Sequence, residues 1–137
     1  MMTRDEIQRR HSLGRRAEQF AEAHYLKQGS RLVARNFRCQ GGEVDLIFEE
    51  PCEATGLELV FVEVRARTEG GWVDALETVT FPKQMRLVRA IRLFLAKYRG
   101  HAKQLRVDII AFSPAGETDQ SLGELRQIKN VGLSTAP

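Results

Sequence analysis

At 137 residues the chain is one domain's worth, and its 42% hydrophobic content is enough for a real core. With 28% charged residues and a net charge of +3 it is neither disordered nor fibrous in composition, and its two cysteines, Cys39 and Cys52, offer no disulfide scaffold. No HxH or CxxC spacing marks a zinc site, no run of 18 apolar residues spans a membrane, and Met1–Glu6 leads into polar residues rather than a signal sequence, so a soluble, cytoplasmic protein is expected.

Residues 1–11 read as a flexible or partly helical tail, although Thr3 and Glu6 have capping-box spacing. Ser12 is expected to cap a helix from about Leu13 to Gln28, with Leu13, Ala17, Phe20, Ala21, Tyr25 and Leu26 on its apolar face and Gly29 as its stop. The alternating run Leu32–Arg38 predicts a strand, and Gly41-Gly42 a tight turn into a second strand, Glu43–Phe48. There Val44, Leu46 and Phe48 should share one face, and Glu43, Asp45 and Ile47 the other. An acidic loop is expected over 49–57, then a central strand over 58–65.

Gly70-Gly71-Trp72 lies in an expected loop from Thr68 to Val73, and a helical turn is expected within 74–80. Thr80 and Pro82 then open a second long helix, ending near Tyr98 before Gly100. Met85, Val88, Ile91, Arg92 and Leu95 form its stripe, widened by Leu87, Phe94 and Tyr98. A strand over Leu105–Phe112 follows, with a weaker one within Glu124–Lys129 and a flexible tail over 130–137. The order α-β-β-β-α-β, with a possible final β, predicts an α/β domain over residues 12–129. Its mixed sheet is flanked by helices, one long enough to make a crossover connection.

Charge is segregated along this order. Residues 1–38 carry +5, 39–80 carry −8, 81–106 carry +8 and 107–137 carry −2. Basic segments can hold a polyanion while the acidic stretch gathers metal ions, as a metal-dependent phosphodiesterase requires. Charge alone fits, more simply, helices that expose lysine and arginine to water. Within the acidic stretch, Asp45 and Glu63 interrupt neighbouring strands, and Arg65 shares a strand face with Glu63. Two carboxylates on paired strands suit Mg²⁺ or Mn²⁺, and a nearby cation suits a phosphoryl group. A salt-bridge ladder would leave the same trace. Glu18, beside the apolar face of the first helix, is a third candidate. Asp108, two residues after Arg106, fits a salt bridge at least as well as catalysis. His11, His24 and His101 form no nucleophile or metal set.

Several ordered motifs make a family resemblance specific over residues 12–112. Leu13-Gly14-Arg15-Arg16-Ala17-Glu18, with Ala21 and Tyr25-Leu26, resembles the opening helix of the YraN-like family of small bacterial proteins. Asn36-Phe37-Arg38 with Gly42-Glu43-Val44-Asp45-Leu46-Ile47 resembles its central signature, and Phe61-Val62-Glu63-Val64-Arg65-Ala66-Arg67 the next. Lys83-Gln84 and Arg106-Val107-Asp108 continue the match. The resemblance implies a restriction-endonuclease-like fold, close to Holliday junction resolvases of the archaeal type. It implies a divalent metal, Mg²⁺ or Mn²⁺, held by Glu18, Asp45 and Glu63, with Glu63-Val64-Arg65 at the superfamily's Glu-x-Lys pair. Two positions depart from the pattern. Ala17 stands where glycine is frequent, and Arg65 stands at the lysine. Arginine keeps its proton, so it can clamp a phosphate but not act as a base. Lys83 is a possible cationic substitute.

A metal-dependent endonuclease on DNA, branched or otherwise structured, is therefore expected. Asp45, Glu63, Arg65 and Glu18 would carry catalysis. Arg15, Arg16, Arg35, Arg38, Arg67, Lys83, Arg86, Arg89, Lys97 and Arg99 would hold phosphates, and Trp72 would either stack on a base or, more simply, fold back to cover the core. The alternatives are a non-catalytic nucleic-acid-binding protein of the same fold and an interaction domain. In the latter, a homodimer would dock its acidic stretch on its partner's basic one. The sequence does not separate DNA from RNA.

Overall fold

Thr3 rather than Ser12 caps the first helix. The Thr3 hydroxyl accepts the Glu6 backbone N–H at 3.1 Å, and the Glu6 carboxylate accepts the Thr3 N–H at 2.9 Å. This box, with Asp5 and Glu6 in the first turn, starts α1 at Arg4 and carries it to Lys27. The expected tail is therefore helical from Arg4, and Ser12 lies inside the helix. The structure, a computed structural model, describes residues 1–66, 79–112 and 122–133. The loop and helical turn expected between Thr68 and residue 78, with Arg67 and Trp72, lie outside the described residues, as do 134–137.

Burial on α1 is narrower than its sequence stripe. Ala17, Ala21 and Tyr25, spaced by four, are fully buried, while Phe20 and Leu26 are 53% and 46% exposed. Two small residues let the helix lie close to the sheet, and a one-residue-wide stripe suffices. The helix ends in a Schellman motif. Gly29, at φ +94°, donates to the Leu26 carbonyl, and Ser30 donates to that of Tyr25.

Five strands follow in spatial order: β1 (Arg31–Cys39), β2 (Gly42–Cys52), β3 (Gly56–Arg65), β4 (Gln104–Phe112) and β5 (Leu125–Ile128). Only β3 and β4 run parallel; the other neighbours are antiparallel. The crossover between β3 and β4 contains α2 (Phe81–Lys97). The mixed sheet flanked by helices is thus as expected, with the last strand present. The expected acidic loop is mostly strand. Glu49 and Glu50 sit in β2, which pairs with β3 as far as Cys52↔Gly56. Pro51 is tolerated because β1 stops opposite Glu49, leaving that side of the ladder open.

Each sheet face has its own core. Leu46, Phe48, Val60, Val62, Ile110 and Phe112 pack under α1, with Tyr25 stacked on Phe48 at 4.5 Å between ring centroids. Val44, Ile47, Leu59, Phe61 and Val107 pack under α2. On α2 the buried residues are Leu87, Val88, Ala90 and Ile91. Arg92 and Leu95, placed in the stripe by spacing, are exposed. Thr80 occupies the N-cap, but its side chain makes no cap hydrogen bond.

The β1–β2 hairpin fixes how closely α2 can approach. Cys39 pairs with Gly42 across Gln40-Gly41, with Gly41 at φ +80°. A Cβ on Gly42 would stand 2.3 Å from the Arg86 carbonyl oxygen and 2.9 Å from the Ala90 nitrogen. Both are helix backbone and cannot swing away. Gly42→Ala is expected to cost about 2–4 kcal/mol, read by urea denaturation. A midpoint unchanged from wild type would refute this contact.

One buried polar network ties the sheet together. Asp108 has no exposed surface. It accepts from Tyr25 Oη at 2.7 Å, Arg106 Nε at 3.0 Å, Gln127 Nε2 at 3.0 Å and the Asn130 N–H at 2.9 Å. Arg106 also bridges Glu50 at 3.0 Å and Glu58 at 2.9 Å. The salt-bridge reading of Asp108 therefore holds. Part of the complementarity between acidic and basic stretches is satisfied within one chain. Of the tail expected over 130–137, the described residues make contacts with the sheet through Leu133. The Val131 N–H bonds the Val107 carbonyl at 2.8 Å, and Val131 and Leu133 pack on the α2-side core.

Candidate metal and nucleic-acid site

An interruption in strand alternation builds the site. Asn36 has φ +48°, a left-handed conformation that asparagine tolerates better than most residues. Arg35 pairs with Leu46 and Phe37 with Val44, leaving Asn36 opposite Asp45. Across this point the faces swap. Leu46 belongs to the α1-side core, whereas Val44 and Phe37 pack on the α2 side. The expectation that Val44 shares a face with Leu46 and Phe48 is therefore corrected, because period-two counting assumes an unbroken extended backbone.

The pairing of β2 with β3 runs from Cys52↔Gly56 to Leu46↔Val62. Beyond it, Asp45 fills the fork between the strands, and its Oδ2 accepts the Val64 N–H at 2.8 Å. Val62 and Val64 turn to the α1-side core, so Glu63 and Arg65 alternate to the other face. They form an ion pair at 3.6 Å, with side chains 19% and 22% exposed. From α1, the half-buried Glu18 lies near enough to Asn36 and Asp45 to feel both electrostatically. Asp45 in turn is electrostatically coupled to Glu63. The three carboxylates expected from sequence are therefore brought together as a chain, Glu18–Asp45–Glu63, with Arg65 at its end.

Gathered, buried carboxylates resist ionisation. Burial first, then the Asp45 charge, pushes Glu63 up to about 8, against the pull of Arg65. Burial also raises Asp45, opposed by the Val64 N–H, and it raises Glu18 together with the Asp45 charge. A divalent cation would relieve the same like-charge repulsion. Hard carboxylate oxygens are the donors that Mg²⁺ and Mn²⁺ take, and Glu63 and Asp45 fit that chemistry. Their arrangement here is a chain of neighbouring carboxylates. Among the described residues, no group of three or more His, Cys, Asp and Glu forms a metal-holding cluster.

The raised carboxylates set a pH dependence. The native state holds the Glu63 proton more tightly than the unfolded chain, whose value is 4.5. Its contribution is full below about pH 4.5 and is lost as pH rises to about 8. The melting temperature of metal-free protein is expected to fall across that window by about 5 °C. Glu63→Gln should flatten the fall, and Mn²⁺ should stabilise more at pH 8 than at pH 5. Parallel wild-type and Glu63→Gln profiles would refute the assignment.

A groove of about 460 Å³ opens beside Glu18. His11, Gly14 and Arg15 of α1 line it with Asn36 and Arg38 of β1. Of the residues expected to hold phosphates, Arg15 and Arg38 therefore meet next to the carboxylates. Arg35 does not join them; Glu22 holds it at 2.6 and 2.9 Å. Arg16 is exposed and engaged within the chain. Lys83, Arg86, Arg89, Lys97 and Arg99 are exposed on or just after α2, which covers the sheet face away from this groove. Arg89 also reaches the Gly41 carbonyl at 3.3 Å. Lys83 sits in the first turn of α2 and forms no salt bridge with the carboxylates. Sequence reasoning missed Asn36 as a site residue. The available signal was an asparagine inside a β-forming run.

The family model described as Uncharacterised protein family UPF0102 matches residues 17–112. A UPF0102 protein of Stutzerimonas stutzeri is 40% identical over 88% of this chain and 93% of its own. One from Pseudomonas syringae pv. syringae is 43% identical over 74% and 80%. One from Herminiimonas arsenicoxydans is 41% identical over 74% and 77%. The matched span contains Glu18, Asp45, Glu63 and Arg65. Among the described residues, no helix is long and apolar enough to cross a membrane.

Proposed function

The chain belongs to the Uncharacterised protein family UPF0102, the YraN-like family, and from that footing we propose that it is a metal-dependent nuclease hydrolysing phosphodiesters of DNA. Family and fold are both consistent with nuclease-like proteins. The observation that carries the reading is the convergence of Glu18, Asp45 and Glu63 from a helix and two strands, with Arg65 beside them.

Asp45 and Glu63 would hold Mg²⁺ or Mn²⁺, with Glu18 as a further donor. The bound ion supplies positive charge at the scissile phosphate and acidity to an attacking water. The Val64 N–H fixes one Asp45 oxygen and leaves the other as the donor. Arg65, anchored by Glu63, is placed to stabilise charge on a phosphate oxygen. It remains protonated throughout, so its part is electrostatic. The arginines of the α1–β1 groove and of α2 contribute backbone contacts, which position a strand without reading its sequence.

Labelled linear, flapped and four-way-junction DNA incubated with Mg²⁺, Mn²⁺ or EDTA tests this reading. Products that require the metal are expected. Salt-sensitive binding with no products under either metal would replace it by a second reading, nucleic-acid binding without hydrolysis, which the arginine at position 65 favours.

A further inference from the structure

The groove beside Glu18 has features that packing does not explain. A Cβ at Gly14 would meet no atom within 4 Å, so no close contact requires glycine there, though it costs helix stability. What Gly14 leaves is open space in the groove wall. Arg15 stands on the α1 wall and has no ion-pair partner among the described residues. Arg38 stands on the β1 wall, 72% exposed and only loosely paired with Glu43 at 3.5 Å. Asn36, in its left-handed backbone, lines the groove with Glu18. Such a conformation is costly away from glycine and tends to persist where function uses it. The described α1 residues from Arg4 to Ile7 and His11 are exposed, and full burial begins only at Ala17. The first turns of α1 thus project past the sheet as an outer wall.

A groove of about 460 Å³ falls in the range of small-molecule pockets. It has room for about one or two nucleotides of a single strand, not for a duplex. Cations on both walls, Arg15 and Arg38, suit backbone phosphates, and the His11 ring is the aromatic surface that the lining offers a base. We propose that the groove seats one unpaired nucleic-acid strand, with its phosphates on Arg15 and Arg38, and so selects substrates in which a single strand leaves the duplex beside the carboxylates. The inference rests on the nuclease reading for its orientation, and it adds the substrate class.

Binding in EDTA tests it apart from cleavage. A short labelled single strand of mixed sequence and its blunt duplex are titrated at several salt concentrations. Arg15→Ala with Arg38→Ala is expected to weaken single-strand binding roughly tenfold and to reduce the salt slope by about 0.7 per charge removed. Duplex binding should change much less. Gly14→Leu fills the wall and should also weaken single-strand binding while raising the melting temperature, which separates a blocked groove from a damaged fold. Equal losses on single strand and duplex, or unchanged single-strand binding in both variants, would overturn the proposal. Cleavage by wild-type protein in Mn²⁺ is read in parallel. Groove-dependent binding without products removes the nuclease reading and keeps the groove; metal-dependent products without groove dependence do the reverse.

Discussion

Asp45→Asn is expected to lower metal-dependent cleavage by at least about a thousandfold, roughly 4 kcal/mol in the barrier, with little effect on folding. The separation of the two effects follows from geometry. Asp45 does two things in the fork between β2 and β3: it accepts the Val64 N–H at 2.8 Å, and it faces Glu18 and Glu63. An asparagine carbonyl still accepts the backbone N–H, so the fork keeps its shape. The amide brings no negative charge to a cation, however, and its N–H₂ donates to Glu63 or Glu18 where a metal would bind. The same change should lower the Glu63 value from about 8, because the Asp45 charge is second only to burial in raising it. Two measurements, cleavage with Mn²⁺ and a thermal melt, check both halves. Cleavage retained in Asp45→Asn would remove the carboxylates from the reaction. Arg65→Lys is an informative companion: restored or raised turnover would mean that a group able to release its proton is useful at that place.

The largest stability loss is expected elsewhere. Asp108→Ala should destabilise the fold by about 3–5 kcal/mol, a large share of a small domain's total. The carboxylate is fully buried and receives hydrogen bonds from Tyr25, Arg106, Gln127 and Asn130. Its removal leaves the Arg106 guanidinium, a side chain only 10% exposed, without one of its three partners, and strands the Tyr25 hydroxyl beside a cavity. The hydrogen bonds hold Asp108 below the ordinary aspartate value, against burial. Its contribution is therefore present above about pH 4 and is lost as acid titrates it, opposite in sign to Glu63. Urea denaturation at pH 7 and at pH 3 reads both. A loss below about 1 kcal/mol at pH 7 would show that the network is dispensable.

These two aspartates illustrate what sequence order exposes. Asp45, Glu63 and Asp108 each break an apolar strand, and that local signal found all three. The strands themselves were legible because β-forming residues dominate β3 and β4 on either side of those breaks. Helix ends were less so: Thr3-x-x-Glu6 and Ser12 offer competing caps, and only the reciprocal bonds of Thr3 and Glu6 decide between them. Phe20 and Leu26 read as core because periodicity counts residues without knowing how wide a stripe the sheet covers. The remaining errors come from register. Arg35 looked available for phosphate until β1 set it against Glu22, and Val44 changes face because one residue before Phe37 adopts a left-handed backbone. Pairing across strands is non-local, so no count along the chain contains it.

The irregularities of β1 have a consequence for the solubility of the folded protein. Among the described residues β1 is the outermost strand on its side, and its outer backbone groups are an invitation to another chain. A register shift falls between Leu32 and Ala34, Asn36 breaks the extended path four residues further along from Leu32, and arginines stand at 31, 35 and 38. An incoming strand would find two regular stretches too short to zip and a row of like charges to repel its twin. The twist that brings Asn36 to Glu18 thus also guards the sheet against edge-to-edge stacking, and straightening it, by replacing Asn36 with a β-branched residue, would put filament-like self-association in place of a protected edge.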